Sequence, residues 1–169
     1  MYSFIAQAVG LMGAAFVIGS YQCKKNTSLI IVQTIGSFLF LINYFMLGAY
    51  TGAFMNLACV IRGGIFCAGD KTRKPFILVA LNLLLIVGAI FTWENALSIL
   101  PLLGMISVTF GMYFNDGKWI RIAQLFVSSP CWLIYNFASG TIGGVICEIF
   151  VICSAVVSII RYGFDGFEK

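Results

Sequence analysis

The sequence predicts an all-α, polytopic membrane protein with seven transmembrane helices, arranged as two parallel three-helix bundles joined by a connector helix. Three observations predict it. The first is composition: of 169 residues 61% are hydrophobic and 9% charged, with a mean hydropathy of +1.02, whereas a soluble domain is about half apolar and about a quarter charged. The second is a series of seven apolar runs separated by turns too short to hold a soluble domain. The third is the placement of the basic residues. Lys24 and Lys25 follow the first run, and Lys71, Arg73 and Lys74 follow the third. Lys118 and Arg121 flank the turn after the fifth, and Arg161 and Lys169 follow the seventh. The turns at 48–50, 93–95 and 139–140 carry no lysine or arginine. Seven crossings put every basic cluster on one face, which by the positive-inside rule predicts an outside N-terminus and a cytoplasmic C-terminus. Six crossings would scatter them over both.

A bilayer core of about 30 Å takes about 20 helical residues, and 17 suffice. In order, the predicted spans are 4–21, 29–47, 51–68, 76–93, 96–114, 120–138 and 141–160. The N-terminus lacks a basic n-region and an A-x-A-like cleavage site, so the first run is expected to stay as a membrane helix. Five of the six cysteines (Cys59, Cys67, Cys131, Cys147, Cys153) lie inside apolar runs, and no C-x-x-C pair or histidine accompanies them or Cys23. They read as small packing residues rather than metal ligands or disulfides.

The bundle arrangement comes from an internal repeat. Leu47-Gly48-Ala49-Tyr50-Thr51-Gly52 followed by Asn56 returns 92 positions later as Ser139-Gly140-Thr141-Ile142-Gly143-Gly144 followed by Glu148. Each copy sets two glycines four apart at a helix start, Gly48 with Gly52 and Gly140 with Gly144, a spacing that lets helices approach closely. Gly19-Ser20-Tyr21 resembles Gly111-Met112-Tyr113 at the same interval, while Gln33 with Gln124 and Tyr44 with Tyr135 match at 91. A one-residue change in a turn would absorb the slip. Spans one to three thus pair with five to seven, and span four is the connector. The predicted units are 1–69, a connector at 70–95, 96–162 and a cytoplasmic tail at 163–169. Three spans plus one return the second triplet in the same orientation, as in parallel repeats about the membrane normal.

These residues carry a resemblance. Through Leu47 to Ala53, then Asn56 and Arg62, with Gln33 before them, the chain resembles small bacterial inner-membrane proteins of the YgjV type. More loosely, its three-one-three plan resembles the SWEET, PQ-loop and PnuC transporters, which carry sugars, amino acids or vitamins by facilitated diffusion. That resemblance implies that Asn56 faces the substrate and that Glu148 stands where a second asparagine is usual, a hint of a cationic substrate or proton coupling. Gln22 stands near the place of the PQ-loop glutamine, but Tyr21 and not proline precedes it. Gly19, Gly111, Pro101 and Pro130 are then candidate hinges, since each weakens a helix locally.

The polar residues within the spans are the candidate site. Asn56 and Glu148, as repeat mates, are expected to face each other. A charge at the depth of Arg62 or Glu148 costs roughly 2.5 to 3.5 kcal/mol, so a buried Arg62–Glu148 ion pair is the first expectation, serving either as a lock between triplets or as part of a substrate site. Gln33 and Gln124 read as interhelical hydrogen-bonding residues. Asn43, Tyr44, Tyr135 and Asn136 form either a polar vestibule or interface anchors, and Trp132 either stacks on a substrate or packs. Without histidine, close paired carboxylates or a glycine-rich phosphate loop with lysine, metal catalysis, nucleophilic triads and ATP-driven work have no parts list, so neither an enzyme nor a cofactor is expected. The basic clusters orient the chain in a membrane and imply no nucleic-acid partner. The expected function is alternating-access transport of a small polar metabolite such as a sugar or vitamin, with the lipid bilayer and that solute as partners. A non-transporting membrane scaffold or accessory subunit is the alternative, and either is compatible with a homo-oligomer. An ion channel would need a continuous polar stripe where the spans show isolated polar residues.

Overall fold

In lipid a backbone must satisfy its own hydrogen bonds, so apolar runs of this length become helices. A computed structural model of the chain describes residues 2–20, 26–68, 72, 74–114 and 122–162. Gln22, the basic residues 24, 25, 71, 73, 118 and 121, and the tail 163–169 lie outside that set. The described residues form α1 (Tyr2–Ser20), α2 (Asn26–Leu47), α3 (Tyr50–Cys67), α4 (Pro75–Phe91), a 3-10 turn (Ala96–Ser98), α5 (Ile99–Phe114), a π-helical segment (Gln124–Ser128), α6 (Ser129–Ala138) and α7 (Ile142–Tyr162). Ser3–Ser20, Ile30–Leu47 and Tyr50–Cys67 are long and apolar enough to cross a membrane. Pro75–Phe91, Ala96–Gly111 and Ile142–Cys153 are shorter apolar helices.

Polarity is distributed inside out. Phe4, Phe91 and Phe137 are 79%, 86% and 81% exposed, while Asn43, Thr51, Thr109, Asn136 and Thr141 are fully or almost fully buried. A water-soluble protein hides the first kind and displays the second. This chain has the surface of a helical membrane protein.

The helices follow one another around a ring. α1 packs on α2 and α7, α2 on α3, α3 on α5, α5 on α6 through the π-helical segment, and α6 on α7. α4 packs on α3 and α5, turning in Leu81, Leu85, Gly88 and Ala89, a helical stripe of steps three and four apart. Pro75 opens α4 at its first turn, where a missing N–H costs nothing. Pro101 falls in the first turn of α5, so the structure makes it a helix starter and not a mid-helix hinge.

Two turns are built alike. Among the described residues, Gly48 and Gly140 are the glycines with positive φ, +75° and +68°. Gly48 N–H donates to Phe45 O at 3.2 Å and Ala49 N–H to Tyr44 O at 3.0 Å; 92 positions on, Gly140 N–H donates to Phe137 O at 3.3 Å and Thr141 N–H to Asn136 O at 3.0 Å. Each is a Schellman ending, which needs a residue in the left-handed region. A Cβ at Gly48 or Gly140 would meet nothing within 4 Å. The first glycine of each pair therefore shapes a turn and does not pack helices, a correction to the reading of both as contact glycines. The second does pack: a Cβ on Gly52 would lie 2.8 Å from the Tyr44 and Tyr135 rings, and one on Gly144 2.7 Å from the Asn136 amide.

Side chains tie these turns to their neighbours at one end of the ring. The Glu94 carboxylate, just after α4, accepts from Thr51 N–H at 2.9 Å, satisfying an orphan donor at the N-terminus of α3, where a negative group is favoured. Gln7 of α1 does the same for the other turn, accepting from Ile142 N–H at 3.0 Å and donating to Gly140 O at 2.7 Å.

Candidate functional site

Six helices, all but α4, surround a cavity of ≈ 130 Å³, a little below the ~150 Å³ that houses benzene in an engineered core. Its walls are paired by the repeat. Phe40 faces it from α2 and Trp132 from α6, Tyr44 from α2 and Asn136 from α6, Asn56 from α3 and Glu148 from α7, and each of these pairs is 92 apart. Gln33 and Gln124 also line it, at a separation of 91.

The change from 91 to 92 has a structural cause. A π-helical segment holds one more residue than the α-helical path it replaces, and Gln124–Ser128 is such a segment. Ser129 N–H bonds back five residues to Gln124 O. The slip sits inside a helix, not in a turn as expected, and it precedes Pro130, whose ring would clash with a regular i−4 carbonyl. Beyond the bulge the interval is 92, so the mate of Tyr44 is Asn136 and not Tyr135.

The mates touch. The Tyr44 hydroxyl donates to Asn136 Oδ1, a bond between fully buried side chains of α2 and α6. Around it Tyr44 stands 5.9 Å from the Trp132 ring and 6.1 Å from Phe40, while Trp132 meets Tyr135 edge to face at 6.0 Å. Aromatic packing of that geometry stabilises beyond the area buried. Trp132 thus both packs and lines the cavity.

Asn43 and Tyr135 do not belong to the lining, which corrects their reading as a vestibule or as interface anchors. Asn43 is fully buried and donates to Ala6 O at 2.6 Å, fastening α2 to α1. The Tyr135 hydroxyl accepts from Gly52 N–H at 2.9 Å, taking up another orphan donor of the α3 terminus. At Gly19, a hinge candidate, a Cβ would meet nothing within 4 Å. Gly111 is buried in α5.

Asn56 donates to its own helix, at Gly52 O and 3.0 Å. Arg62 and Glu148 both line the cavity, but the expected ion pair does not form. Arg62 Nη1 donates to Thr109 Oγ1 at 2.9 Å and Nη2 to Cys59 Sγ at 3.6 Å. Glu148 Oε2 is buried without a hydrogen-bond partner. Ser129 accepts from Gln124 Nε2 at 3.2 Å. The physical reason is neighbourhood: α3 packs on α5, and the guanidinium is taken up by the buried Thr109 hydroxyl there and by Cys59 one turn back along α3.

Comparison with known proteins gives the family. The description "bacterial inner membrane protein", family Imp-YgjV, matches residues 4–165. The chain belongs to the YgjV family of bacterial inner membrane proteins. Within it, the inner membrane protein YgjV of Escherichia coli (strain K12) is 27% identical over 179 residues, covering 98% of this chain and 91% of that protein. No solved structure matches the chain. Membership puts the protein in the bacterial inner membrane, in keeping with its apolar exterior.

Sequence reasoning missed several residues that build the site in this family member. Phe40 was legible, since it stands 92 before Trp132, and the repeat finds it. Ser37 of α2, also in the lining, stands 91 before Ser128. Thr109 carried no signal: its mate is Val17, and a lone threonine in an apolar span has no distinguishing pattern.

Proposed function

We propose that the protein is a carrier and not an enzyme, passing a small polar metabolite across the inner membrane by alternating access. In this reading the chain crosses seven times with the N-terminus outside and the C-terminus cytoplasmic. Residues 1–69 and 96–162 act as parallel three-helix bundles, and 70–95 link them. The observation that carries the reading is the central cavity, whose polar lining is drawn from repeat mates on different helices, Asn56 with Glu148 and Gln33 with Gln124. Carriers built from repeats hold their substrate at the repeat interface and rock the halves around it. The π-helical segment before Pro130 supports a moving part, since such segments frequently mark functional sites. The three-one-three resemblance to the SWEET and PQ-loop transporters agrees with this plan.

Uptake into proteoliposomes tests it. Purified protein is offered radiolabelled sugars, amino acids, nucleosides and vitamins, beside Asn56→Ala and Glu148→Gln. Carriage requires that at least one solute enters saturably and that the variants stay folded while flux falls. Should nothing enter, and should both substitutions lower thermal stability instead, the protein is a membrane scaffold or accessory subunit.

A further inference from the structure

Two opposite charges face one small cavity without meeting. Arg62 spends its guanidinium on two neutral groups, Thr109 Oγ1 and Cys59 Sγ, although a guanidinium has five donors. Glu148 Oε2 is buried with no partner. Buried charges are ordinarily paired, because an uncompensated one is costly, and here the natural partners are present but held apart. The cost falls away when an occupant of the cavity pairs with both.

The chemistry of that occupant follows from the arrangement. A neutral sugar leaves both charges without a counter-ion, a simple cation leaves Arg62, and a simple anion leaves Glu148. A molecule with one end of each sign satisfies the pair. Asn56 and Glu148 stand at the same step after their glycine turns, and Cys59, to which the arginine tip reaches, lies three residues beyond Asn56, a depth of roughly 4.5 Å. A cavity of ≈ 130 Å³ keeps the two charged ends of such an occupant close together and has no room for a long spacer. The ≈ 130 Å³ volume limits the side chain to a small one, and the Trp132 and Tyr44 rings offer it an apolar wall.

We propose that the cavity binds a small zwitterion, an α-amino acid with a small neutral side chain, with its carboxylate on Arg62 and its ammonium on Glu148. The inference rests on the carrier reading in taking this cavity as the substrate site.

The test uses the full chain in lipid nanodiscs and four molecules of one size: L-alanine, L-alaninamide (cation), L-lactate (anion) and lactamide (neutral). Ligand that binds the folded form raises its melting midpoint in a concentration-dependent way. Alanine is expected to do so at millimolar concentration, with at least tenfold weaker apparent binding of the other three. Glu148→Gln is expected to erase the preference for alanine over lactate, and Arg62→Gln the preference for alanine over alaninamide. Equal responses to all four molecules, or none to alanine, overturn the proposal on the unmodified protein alone, whatever the variants do. Labelled alanine in proteoliposomes separates the two claims. Alanine binding without flux keeps the zwitterion site and removes the carrier; flux of a neutral sugar with no alanine binding does the reverse.

Discussion

Tyr44 and Asn136 show how little freedom a residue has at the centre of the ring. Their hydrogen bond joins α2 to α6, and Gly144 is packed against the Asn136 amide so closely that an added methyl would sit 2.7 Å from it. Gly144→Ala must push that amide away from the tyrosine hydroxyl. Overpacking of this kind costs about 1 to 3 kcal/mol. The expected result is a melting midpoint lowered by roughly 2 to 4 °C per kcal/mol for a chain of this size, read by thermal unfolding in detergent. Gly64→Ala is the matched contrast: its Cβ meets nothing within 4 Å, and alanine is the better helix former by roughly 0.5 to 1 kcal/mol, so the same change raises the midpoint. Tyr44→Phe keeps the ring contacts and strands Asn136 Oδ1, at a cost of about 1 to 2 kcal/mol. Unchanged stability of Tyr44→Phe would show that the bond contributes nothing.

Among the elements, the π-helical segment is the one that the linear chain describes least directly. The register slip between Gln33–Gln124 and Gly48–Gly140 is visible in the sequence, but a slip says only that a residue was added, and a turn is the commoner place to add one. The turns themselves were legible in position, because a left-handed helix ending selects glycine; their separate jobs were not, since Gly48 and Gly52 are the same letter. The partner of Arg62 is not legible in the sequence for a related reason. Depth along a helix is readable from residue count, but which neighbour an arginine meets first depends on the rotation of α5, and Thr109 lies in a run with no polar pattern to reveal it. The segment can be tested by removal. α2 makes the equivalent passage with one residue fewer, so deleting the exposed Phe126, together with Pro130→Ala to relieve the ring clash, is expected to restore α-geometry and keep the helices on both sides in register. The doubly altered protein should fold with a midpoint within about 4 °C of the original, the size of a ~1 kcal/mol change. Deleting Ile134 from the regular part of α6 instead rotates the remainder of that helix by about 100°, carries Tyr135 and Asn136 away from their partners, and should abolish the monodisperse folded protein on gel filtration.

For the whole molecule, the direction of the chain in the membrane decides whether the two halves can act as a pair. Gln7 and Glu94 reach the two glycine turns, so the start of α1, the α2–α3 turn, the α4–α5 connection and the α6–α7 turn share one end of the ring. The sequence puts no lysine or arginine in those turns and gathers its basic residues, Arg62 apart, between the other helix ends. A cationic side chain near the cytoplasmic surface is favoured by the anionic lipid there, by about 1 kcal/mol each, and the bias is read during insertion. Together these predict that the uncharged end faces outward. Single cysteines placed in a cysteine-free background, at Ser3, Ser139, Lys118 and Lys169, test this with a membrane-impermeant maleimide on intact spheroplasts. Ser3→Cys and Ser139→Cys are expected to label at once, Lys118→Cys and Lys169→Cys only after the membrane is opened. Labelling of positions 3 and 169 from the same side would mean an even number of crossings. The second triplet would then run opposite to the first, and the reading of Asn56 and Glu148, which line one cavity, as the two halves of one substrate site would fall.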